Sequence, residues 1–526
     1  KQQCLNTIGS LRCSSLEMMK TSFAALTVLV LVSLTASVVS ATNTSLTDFV
    51  WHQDNPAVYA WNISTDSPLV TPDYTVYNLY LTAEGWLTPS DSNAPVWHHW
   101  VQICVPADRV MDSDMAVMYI DGGHTKQYNQ PPGDIDPLVL KTMCLESRVV
   151  SVGLYQIPNE RITFSGDPET SRSEDAIIAW TWTHYVNNTL EPDWLLRMPM
   201  TKSAIKAMDA VEEFIQTVPE INNVKRWIVS GASKRGWTAW MVGCMGDPRV
   251  EAIVPIVAPI ANFLPQMNEL FESYGTYSFA LVDYVNTGLM PGFLNSDLFA
   301  DLLKIIDPLT YTEEMQKTPK YVIVSAGDEF FMPDAAQYYW DQLPGEKHLR
   351  VVPNAEHSLA GSVKNVITSA VQYGLTFLNS SKRPTYSWNI SEDGYTIDFT
   401  TDSPSMVTAV HVWVTRPNKR RDFRLVRCAQ GPECVNPALF EPHKLEVNTS
   451  GKYSHTIAAP PDSHWVAFMI AVDFNVGNAT SPLRVTSDLS IAPRNVFPFP
   501  PCADDICNCE WNCNRSLVIQ PGPNTN

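Results

Sequence analysis

The fold class predicted by the sequence is α/β, with a mostly parallel sheet covered by helices on both faces and a second, all-β segment after it. From about residue 75 to 380, short apolar runs typical of buried strands alternate with stretches of helical periodicity. Beyond about residue 382 the runs are short and alternate every two residues, and turn residues separate them. The second pattern indicates an antiparallel β-sandwich.

Composition and charge limit the class of partner. The chain has 526 residues, 45% of them hydrophobic, which is enough for a large core and two or three domains. A formal net charge of -19 argues against nucleic-acid and anionic-membrane partners, because both require basic surfaces. Beyond the first 41 residues, no apolar run approaches the roughly 20 residues of a membrane span. We expect no nucleic-acid partner and no stable membrane span.

The N-terminal region has the pattern of an export signal. Met18-Met19-Lys20 precedes an apolar run over residues 23–39, which ends at small residues. A signal anchor is the alternative, but the run is short for a span and small residues follow it directly. We expect residues 1–41 to be upstream residues and a signal peptide, and the protein to be secreted and extracellular.

Two further features fit export. Asn-x-Ser/Thr acceptors are spread along the chain and predict glycosylation at Asn43, Asn62, Asn187, Asn379, Asn389, Asn448, Asn478 and Asn514. The expected disulfide cysteines are Cys104, Cys144, Cys428, Cys434, Cys502, Cys507, Cys509 and Cys513, with the connectivity open. In an oxidising compartment the crowded tail cysteines favour disulfides over a metal knuckle, so no metal is expected. The odd cysteine, Cys244, is the candidate for a buried free thiol.

The chain divides by pattern into four parts. After the signal region, residues 42–382 form the α/β domain, residues 383–495 the β-sandwich and residues 496–526 a Pro- and Cys-rich tail. Within the α/β domain, residues 260–318 lose the regular alternation and are rich in aromatic residues. That segment is either a cap over the site or a long packed crossover.

A candidate nucleophile lies in the motif GASKRG at residues 231–236. A strand ends just before the motif and a helix starts just after it, so Ser233 sits on a sharp strand-to-helix turn that exposes its hydroxyl. Small residues are needed there because the backbone passes close to its neighbours. Arg235 replaces the usual small residue two positions after the nucleophile, and Gly236 follows. The alternative is a structural glycine-rich turn with an ordinary serine.

The acid and the base are expected downstream in the order of α/β-hydrolases. Asp328 follows the apolar strand at residues 321–324, and His357 lies in a loop after the strand at residues 349–352. Both strands deliver these residues to the same sheet edge as Ser233. Asp328 then orients His357, which takes the proton of Ser233. Glu329 and Asp334 are alternatives to Asp328.

The oxyanion hole requires a backbone N–H after the nucleophile and a second one from an earlier loop. Lys234 supplies the first by position, and Gly122 and Gly123, after the strand at residues 115–120, supply the second. A plain Gly-Gly turn is the alternative. Lys234 and Arg235 also carry positive charge beside the nucleophile; Arg235 either contacts a substrate anion or pairs with acids of the protein.

With these residues in place, the chain resembles the PhoPQ-activated pathogenicity-related protein family. The resemblance covers nearly the whole chain after residue 41, and it includes the WHHW motif at residues 97–100, the SEDAIIAW motif at residues 173–180 and the elbow. It implies an α/β-hydrolase fold related to serine peptidases of the dipeptidyl-peptidase kind, followed by a β-rich segment. Growth-inhibitory signalling is attached to some members.

Two function classes follow. The first is a secreted serine hydrolase, peptidase or esterase, that acts on a small-molecule or peptide substrate through an acyl-enzyme without a cofactor. The second is a secreted signalling protein of the proliferation-repressor type that uses the hydrolase scaffold with little or no catalysis, through a cell-surface receptor. An intact Ser-Asp-His set favours the first.

Overall fold

The computed structural model describes residues 44–52, 58–111, 113–125, 130–187, 191–428, 434–436, 438–460, 464–477 and 481–502. The expected signal region at residues 1–41 lies outside them. So do the predicted glycosylation sites Asn43, Asn478 and Asn514 and the predicted disulfide cysteines Cys507, Cys509 and Cys513. Among the described residues, no helix is long and apolar enough to cross a membrane.

Twelve strands of the described residues precede the all-β segment. They are β1 (Ala60–Ile63), β2 (Leu69–Val70), β3 (Tyr74–Gly85), β4 (Val96–Pro106), β5 (Met115–Ile120), β6 (Val150–Leu154), β7 (Ile162–Phe164), β8 (Asp167–Arg172), β9 (Arg226–Ala232), β10 (Val250–Ile256), β11 (Lys320–Ser325) and β12 (Lys347–Val352). The helices are α1 (Ser45–His52), α2 (Leu140–Ser147), α3 (Asp175–Asn187), α4 (Arg197–Ile215), α5 (Lys234–Cys244), α6 (Phe263–Tyr274), α7 (Val282–Asn286), α8 (Asp297–Ile306), α9 (Thr312–Lys317) and α10 (Val363–Leu378).

The large sheet has the order β1-β3-β4-β6-β5-β9-β10-β11-β12, with β2 paired to β3. All neighbours from β6 to β12 are parallel, whereas β1 to β4 and the β4–β6 pair are antiparallel. Strands β7 and β8 form a separate antiparallel ribbon. Parallel strands therefore make up the half of the sheet that carries the expected site residues.

Both faces of the parallel half are buried, which explains why its strands read as nearly continuous apolar runs. In β9, Trp227 and Val229 belong to one core and Ile228 to the other. Helices α4 and α5 cover the first face, with Met208 and Trp240 in its core. Helix α10 covers the second, where Val366 lies in the core.

The C-terminal segment contains β13 (Tyr386–Ile390), β14 (Thr396–Thr401), β15 (Val407–Thr415), β16 (Phe440–Leu445), β17 (Lys452–Thr456), β18 (Val466–Phe474), β19 (Leu483–Thr486) and β20 (Ser490–Ala492). A sheet of order β13-β14-β17 faces one of order β16-β15-β18-β19, in which β20 also pairs with β18. All of these pairs are antiparallel, and Phe399, Val412 and Ile470 share one core. The predicted fold class is confirmed.

The sandwich is fastened to the edge of the large sheet. The backbone N–H of Val351 donates to Thr486 Oγ1 at 3.0 Å, and the Tyr321 hydroxyl donates to the carbonyl of Arg484 at 2.5 Å. These bonds join β12 and β11 to β19. The boundary near residue 382 stays a prediction, because the core of α10 and the sandwich is continuous.

The cysteines within the described residues fall into three situations. Cys104 of β4 is joined to Cys144 of α2, and Cys428 is joined to Cys434. Cys502 is disulfide-bonded as well. Cys244 is a free, buried thiol in α5, as the sequence predicts.

The predicted glycosylation sites within the described residues differ in exposure. Exposed side chains are found at Asn62, Asn187, Asn379 and Asn389. Asn448 is half-buried, and its Nδ2 donates to the carbonyl of Lys452 at 3.0 Å. The first four acceptors are therefore accessible to a modifying enzyme in the folded chain, and Asn448 is less so.

Candidate active site

Ser233 is the single residue between the end of β9 and the start of α5. Its backbone has φ 57° and ψ -127°, a conformation that costs a non-glycine residue about 1–3 kcal/mol. The Ser233 N–H donates to the carbonyl of Ile256 at 2.9 Å, which ties the turn to β10. The local fold is thus a strained strand-to-helix elbow that lifts the hydroxyl above the sheet edge.

Two glycines make the elbow sterically feasible. A Cβ at Gly231 would lie 2.6 Å from the carbonyl oxygen of Arg235, and one at Gly236 would lie 2.7 Å from that of Ile256. Real Cβ atoms do not come so close to backbone. Gly236 therefore takes the close approach to β10, and Arg235 can keep a long side chain that points away from it.

The structure brings Ser233, His357 and Asp328 into one hydrogen-bonded chain. Ser233 Oγ lies 2.7 Å from His357 Nε2, and His357 Nδ1 lies 2.8 Å from Asp328 Oδ2 and 3.0 Å from Oδ1. Asp328 is buried and also accepts the N–H groups of Phe330 at 2.7 Å and Phe331 at 3.2 Å. These bonds hold its carboxylate in place beside the imidazole.

Of the three acids that the sequence left open, only Asp328 contacts the imidazole. Glu329 Oε2 accepts the backbone N–H of His357 at 3.0 Å rather than a ring nitrogen. Asp334 accepts from Arg421 Nη2 at 2.8 Å. Burial, together with repulsion from Asp328, raises the pKa of Glu329 to about 7. Glu329 thus supports the loop backbone, whereas Asp328 orients the ring.

The electrostatics of His357 reflect two opposing effects. Burial disfavours the charged ring and lowers its pKa, but the Asp328 carboxylate and its hydrogen bond outweigh burial. The net effect is that the His357 pKa is raised above its usual value of 6.5. The imidazole is therefore a stronger base than a free histidine, with Nε2 directed at the Ser233 hydroxyl.

The three expected oxyanion donors are placed differently. Lys234 is the first residue of α5, where the backbone N–H has no partner within the helix and lies next to Ser233. The Gly122 N–H instead donates to Asp121 Oδ1 at 2.7 Å. Gly123 follows at φ 131°, a conformation that favours glycine. Both glycines lie in the loop after β5, which is the neighbour of β9 in the sheet.

The basic side chains beside the nucleophile are paired with acids. Lys234 Nζ lies 2.8 Å from Glu174 Oε2 and 2.9 Å from Asp175 Oδ2, and Arg235 Nη2 lies 2.7 Å from Glu174 Oε1. We call these four residues the elbow ion cluster. Burial disfavours the Glu174 carboxylate, but Arg235 and Lys234 outweigh it and lower its pKa to about 2. Pairing with acids, one of the two roles expected for Arg235, is what the structure shows.

Two cavities meet at Ser233. The first, of about 180 Å³, is bounded by Asp121, Ser233, Arg235, His357 and Leu359; we call it the histidine-side cleft. The second, of about 30 Å³, is bounded by Trp182, Arg197, Ser233, Phe263, Tyr284 and Phe331; we call it the aromatic pocket. The segment 260–318 contributes to the lining of this pocket through Ile260, Phe263, Leu281 and Tyr284.

Sequence reasoning missed the residues of the aromatic pocket. Phe330 and Phe331 lie two and three positions after Asp328, and that proximity in the sequence was the available signal. Trp182 and Arg197 gave none, because their approach to Ser233 depends on how α3 and α4 pack. Tyr284 belongs to the aromatic-rich segment 260–318, for which a cap over the site was one of the two expected roles. No group of three or more His, Cys, Asp or Glu side chains suited to a metal ion was found in the described part of the chain.

A mostly parallel sheet that presents a serine, an acid and a histidine in this order at the ends of successive strands defines the α/β-hydrolase class. The sequence matches the model of the PhoPQ-activated pathogenicity-related protein family over residues 46–424, and the chain belongs to that family. It is 40% identical over 492 residues to autocrine proliferation repressor protein A of Dictyostelium discoideum, a match that covers 91% of this chain and 96% of the relative.

Solved structures of low sequence identity resemble part of the chain. Acetyl xylan esterase 1 from Thermoanaerobacterium sp. JW/SL YS485 has 14% identity and a TM-score of 0.38, covering 61% of this chain and 91% of that one. The acetyl xylan esterase from Paenibacillus sp. R4 has 14% identity and a TM-score of 0.39, covering 63% and 96%. Likenesses of this strength do not bear on function.

Proposed function

We propose that this protein is a secreted serine hydrolase in which Ser233, His357 and Asp328 act as a catalytic triad. The observation that carries the proposal is the unbroken hydrogen-bonded chain from Ser233 Oγ through the imidazole to the buried carboxylate. A serine and a histidine on a protein surface do not ordinarily form such a hydrogen-bonded chain on a strained elbow. The chemistry it supports is acyl transfer from an ester or amide carbonyl.

The proposed reaction has two halves. His357 Nε2 accepts the proton of Ser233 as Oγ attacks the carbonyl carbon, and the developing oxyanion is met by the Lys234 N–H and by the Gly123 N–H in the loop after β5. His357 then gives that proton to the leaving group, which departs and leaves an acyl-enzyme. Water, deprotonated by His357, hydrolyses the acyl-enzyme and restores Ser233.

Secretion is part of the proposal. It rests on the export pattern at residues 1–41, on the disulfides of Cys104–Cys144 and Cys428–Cys434, and on the exposed acceptors at Asn62, Asn187, Asn379 and Asn389. The substrate is then an extracellular small molecule or peptide. Cell fractionation and glycosidase treatment of the expressed full chain test this part independently of catalysis.

The relative named as an autocrine proliferation repressor favours a second candidate, a secreted signal that acts through a cell-surface receptor. The two candidates differ in what Ser233 does. If signalling alone is the function, Ser233→Ala protein added to responsive cells slows their growth as well as wild type does. If hydrolysis underlies the effect, the same variant is inactive in that assay.

Labelling with a fluorophosphonate tests the proposed nucleophile. Wild-type protein should be labelled, and Ser233→Ala should lose labelling while keeping its circular dichroism spectrum. Ser358→Ala is the matched control, because Ser358 is an exposed serine of the same histidine-side cleft and lies outside the hydrogen-bonded chain. It should label as wild type does. Undiminished labelling of Ser233→Ala would remove Ser233 from the mechanism.

A further inference from the structure

The aromatic pocket is small, and large rings close it. Its volume of about 30 Å³ is enough for about two water molecules. Trp182, Trp237 and Phe263 are buried around it, and the centres of their rings lie between 5.5 and 6.0 Å from one another. A group that enters the pocket from Ser233 therefore has room for a methyl or an ethyl group and no more.

Hydrogen bonds hold several of the lining side chains in place. Trp237 Nε1 donates to the carbonyl of Ile306 at 2.9 Å, and the Tyr284 hydroxyl donates to a carboxylate of the elbow ion cluster at 3.0 Å. Arg197 Nη1 donates to the carbonyl of Lys234 at 2.7 Å, and its guanidinium lies 4.4 Å from the centre of the Trp237 ring. Widening the pocket would break these contacts in a close-packed interior, so the fold sets its size.

The histidine-side cleft on the other side of Ser233 is much larger. Its volume is about 180 Å³, and its lining includes His357 together with the apolar side chains of Leu359, Val363 and Ile367. A ring or a branched group fits there. The two cavities at Ser233 therefore admit groups of very different size.

The two cavities also have different chemical roles in acyl transfer. The general base that takes the serine proton returns it to the leaving group, so the leaving group lies next to His357. His357 bounds the histidine-side cleft, whereas Lys234 bounds the aromatic pocket. The leaving group consequently occupies the larger cavity, and the acyl group extends past the Lys234 N–H into the smaller one.

We propose that the aromatic pocket limits the size of the acyl group, and that the substrates are acetate and propionate esters of a larger alcohol. The methyl or ethyl group of the acyl part fills the space beside Trp182 and Phe263, and the alcohol part lies in the histidine-side cleft. A longer acyl chain meets rings that are already packed against one another. This assignment rests on the proposed hydrolase function and names its substrate class.

A series of esters with one leaving group tests the assignment. The substrates are p-nitrophenyl acetate, propionate, butyrate and hexanoate, and the rates measured with Ser233→Ala protein are subtracted. We expect kcat/KM to fall by at least about tenfold from acetate to butyrate and further to hexanoate, because the rings do not move aside for additional methylene groups. A smaller fall, or a rise, from acetate to butyrate overturns the assignment.

A second pair of esters varies the leaving group at constant acyl group. We expect p-nitrophenyl acetate and the bulkier methylumbelliferyl acetate to differ in kcat/KM by less than about tenfold, because the histidine-side cleft accepts both leaving groups. If the larger leaving group is penalised as strongly as the longer acyl chain, the entrance to Ser233 and not the aromatic pocket limits the substrate, and the assignment is overturned.

Two variants enlarge the aromatic pocket. Phe331→Ala removes a partly exposed ring from its lining and keeps the backbone N–H that donates to Asp328, and Leu281→Ala removes a buried side chain. Each should raise the ratio of kcat/KM for butyrate to that for acetate by at least about tenfold. Val363→Ala is the matched control, because it truncates an apolar side chain of the histidine-side cleft and should leave that ratio unchanged.

An unchanged ratio in both enlarged variants, or an equal rise in Val363→Ala, overturns the assignment. The ester series with wild type needs no variant of the pocket to fold, so it decides the question if Phe331→Ala and Leu281→Ala are unstable. Hydrolysis of all four esters at similar kcat/KM leaves the hydrolase proposal standing and overturns the pocket assignment alone. Absence of Ser233-dependent hydrolysis for every ester overturns both.

Discussion

The two flanks of Ser233 both contain acidic and basic residues and differ in how many partners each charge has. On one flank, His357 meets a single buried carboxylate at Nδ1, and its other nitrogen is left for the Ser233 hydroxyl. On the other, the charges of the elbow ion cluster are paired within the cluster. We infer that a charged group with one partner stays available to react, whereas charged groups that are paired with one another are held in place.

This difference predicts separate consequences for mutation. Loss of a member of the hydrogen-bonded chain should reduce the rate and spare the fold, because the fold is held by the sheet and its two cores. Loss of a member of the elbow ion cluster should reduce stability, because the remaining partly buried charges lose one of their partners. If variants of the hydrogen-bonded chain lose stability, or variants of the elbow ion cluster lose only rate, this distinction between the flanks is wrong.

The largest expected effect is on catalysis at Asp328. Asp328→Asn should lower kcat by up to about 10⁴-fold, because an amide favours the wrong imidazole tautomer and does not stabilise the imidazolium. Hydrolysis of p-nitrophenyl acetate under saturating substrate measures it. Glu329→Gln is the matched control, as the neighbouring acid contacts only the backbone of His357. Near-normal turnover of Asp328→Asn with loss in Glu329→Gln would make Glu329 the triad acid.

The next effect is on stability at Arg235. Arg235→Met leaves Glu174 without one of its two cations, and we expect the free energy of unfolding to fall by about 2 kcal/mol at pH 7. That figure is below the usual cost for a fully buried pair, because the Glu174 side chain is 40% exposed and water screens it. Urea unfolding measures the change.

The pH dependence of that stability has a defined sign. The pKa of Glu174 falls from 4.5 to about 2 in the folded chain, so its contribution is present above pH 4.5 and is lost as the pH falls toward 2. Arg235→Met should flatten this part of the stability profile, and Ser233→Ala should leave it unchanged. An Arg235→Met protein as stable as wild type from pH 7 to pH 2 would contradict the role assigned to the cluster.

The sequence predicted one flank and not the other, for physical reasons. Ser233, Asp328 and His357 each follow a parallel strand, and strands β9, β11 and β12 end at one sheet edge, so local pattern and chain order were sufficient. Glu174 lies in the turn before α3, far along the chain from Lys234 and Arg235, and no local rule pairs them. The same applies to Arg197, whose position follows from the packing of α4 on the elbow helix.

Fold prediction has the same limit. The parallel strands were visible as apolar runs because both of their faces are buried, whereas the antiparallel strands β1 to β4 were not recognised as part of the same sheet. Disulfide connectivity also depends on tertiary contact: Cys104 and Cys144 are joined only because α2 packs beside β4.

The smallest expected effect is a displacement of the pH profile. His357 must be neutral to take the Ser233 proton, so kcat/KM should rise along one limb as pH increases, with a midpoint above 6.5 because Asp328 raises the His357 pKa against burial. The contribution of His357 to the free energy of unfolding falls as the pH increases. The raised pKa stabilises the fold fully below pH 6.5, and that contribution is lost as pH rises through the folded pKa.

Two variants sharpen this prediction. Asp328→Asn removes the main stabilisation of the imidazolium and should move the midpoint of its residual activity downward, toward the value that burial favours. Glu329→Gln removes a weaker neighbouring charge and should move it in the same direction by less. A wild-type midpoint below 6.5 would show that burial outweighs Asp328, and the two flanks of Ser233 would then differ less in their electrostatics than their hydrogen bonds indicate.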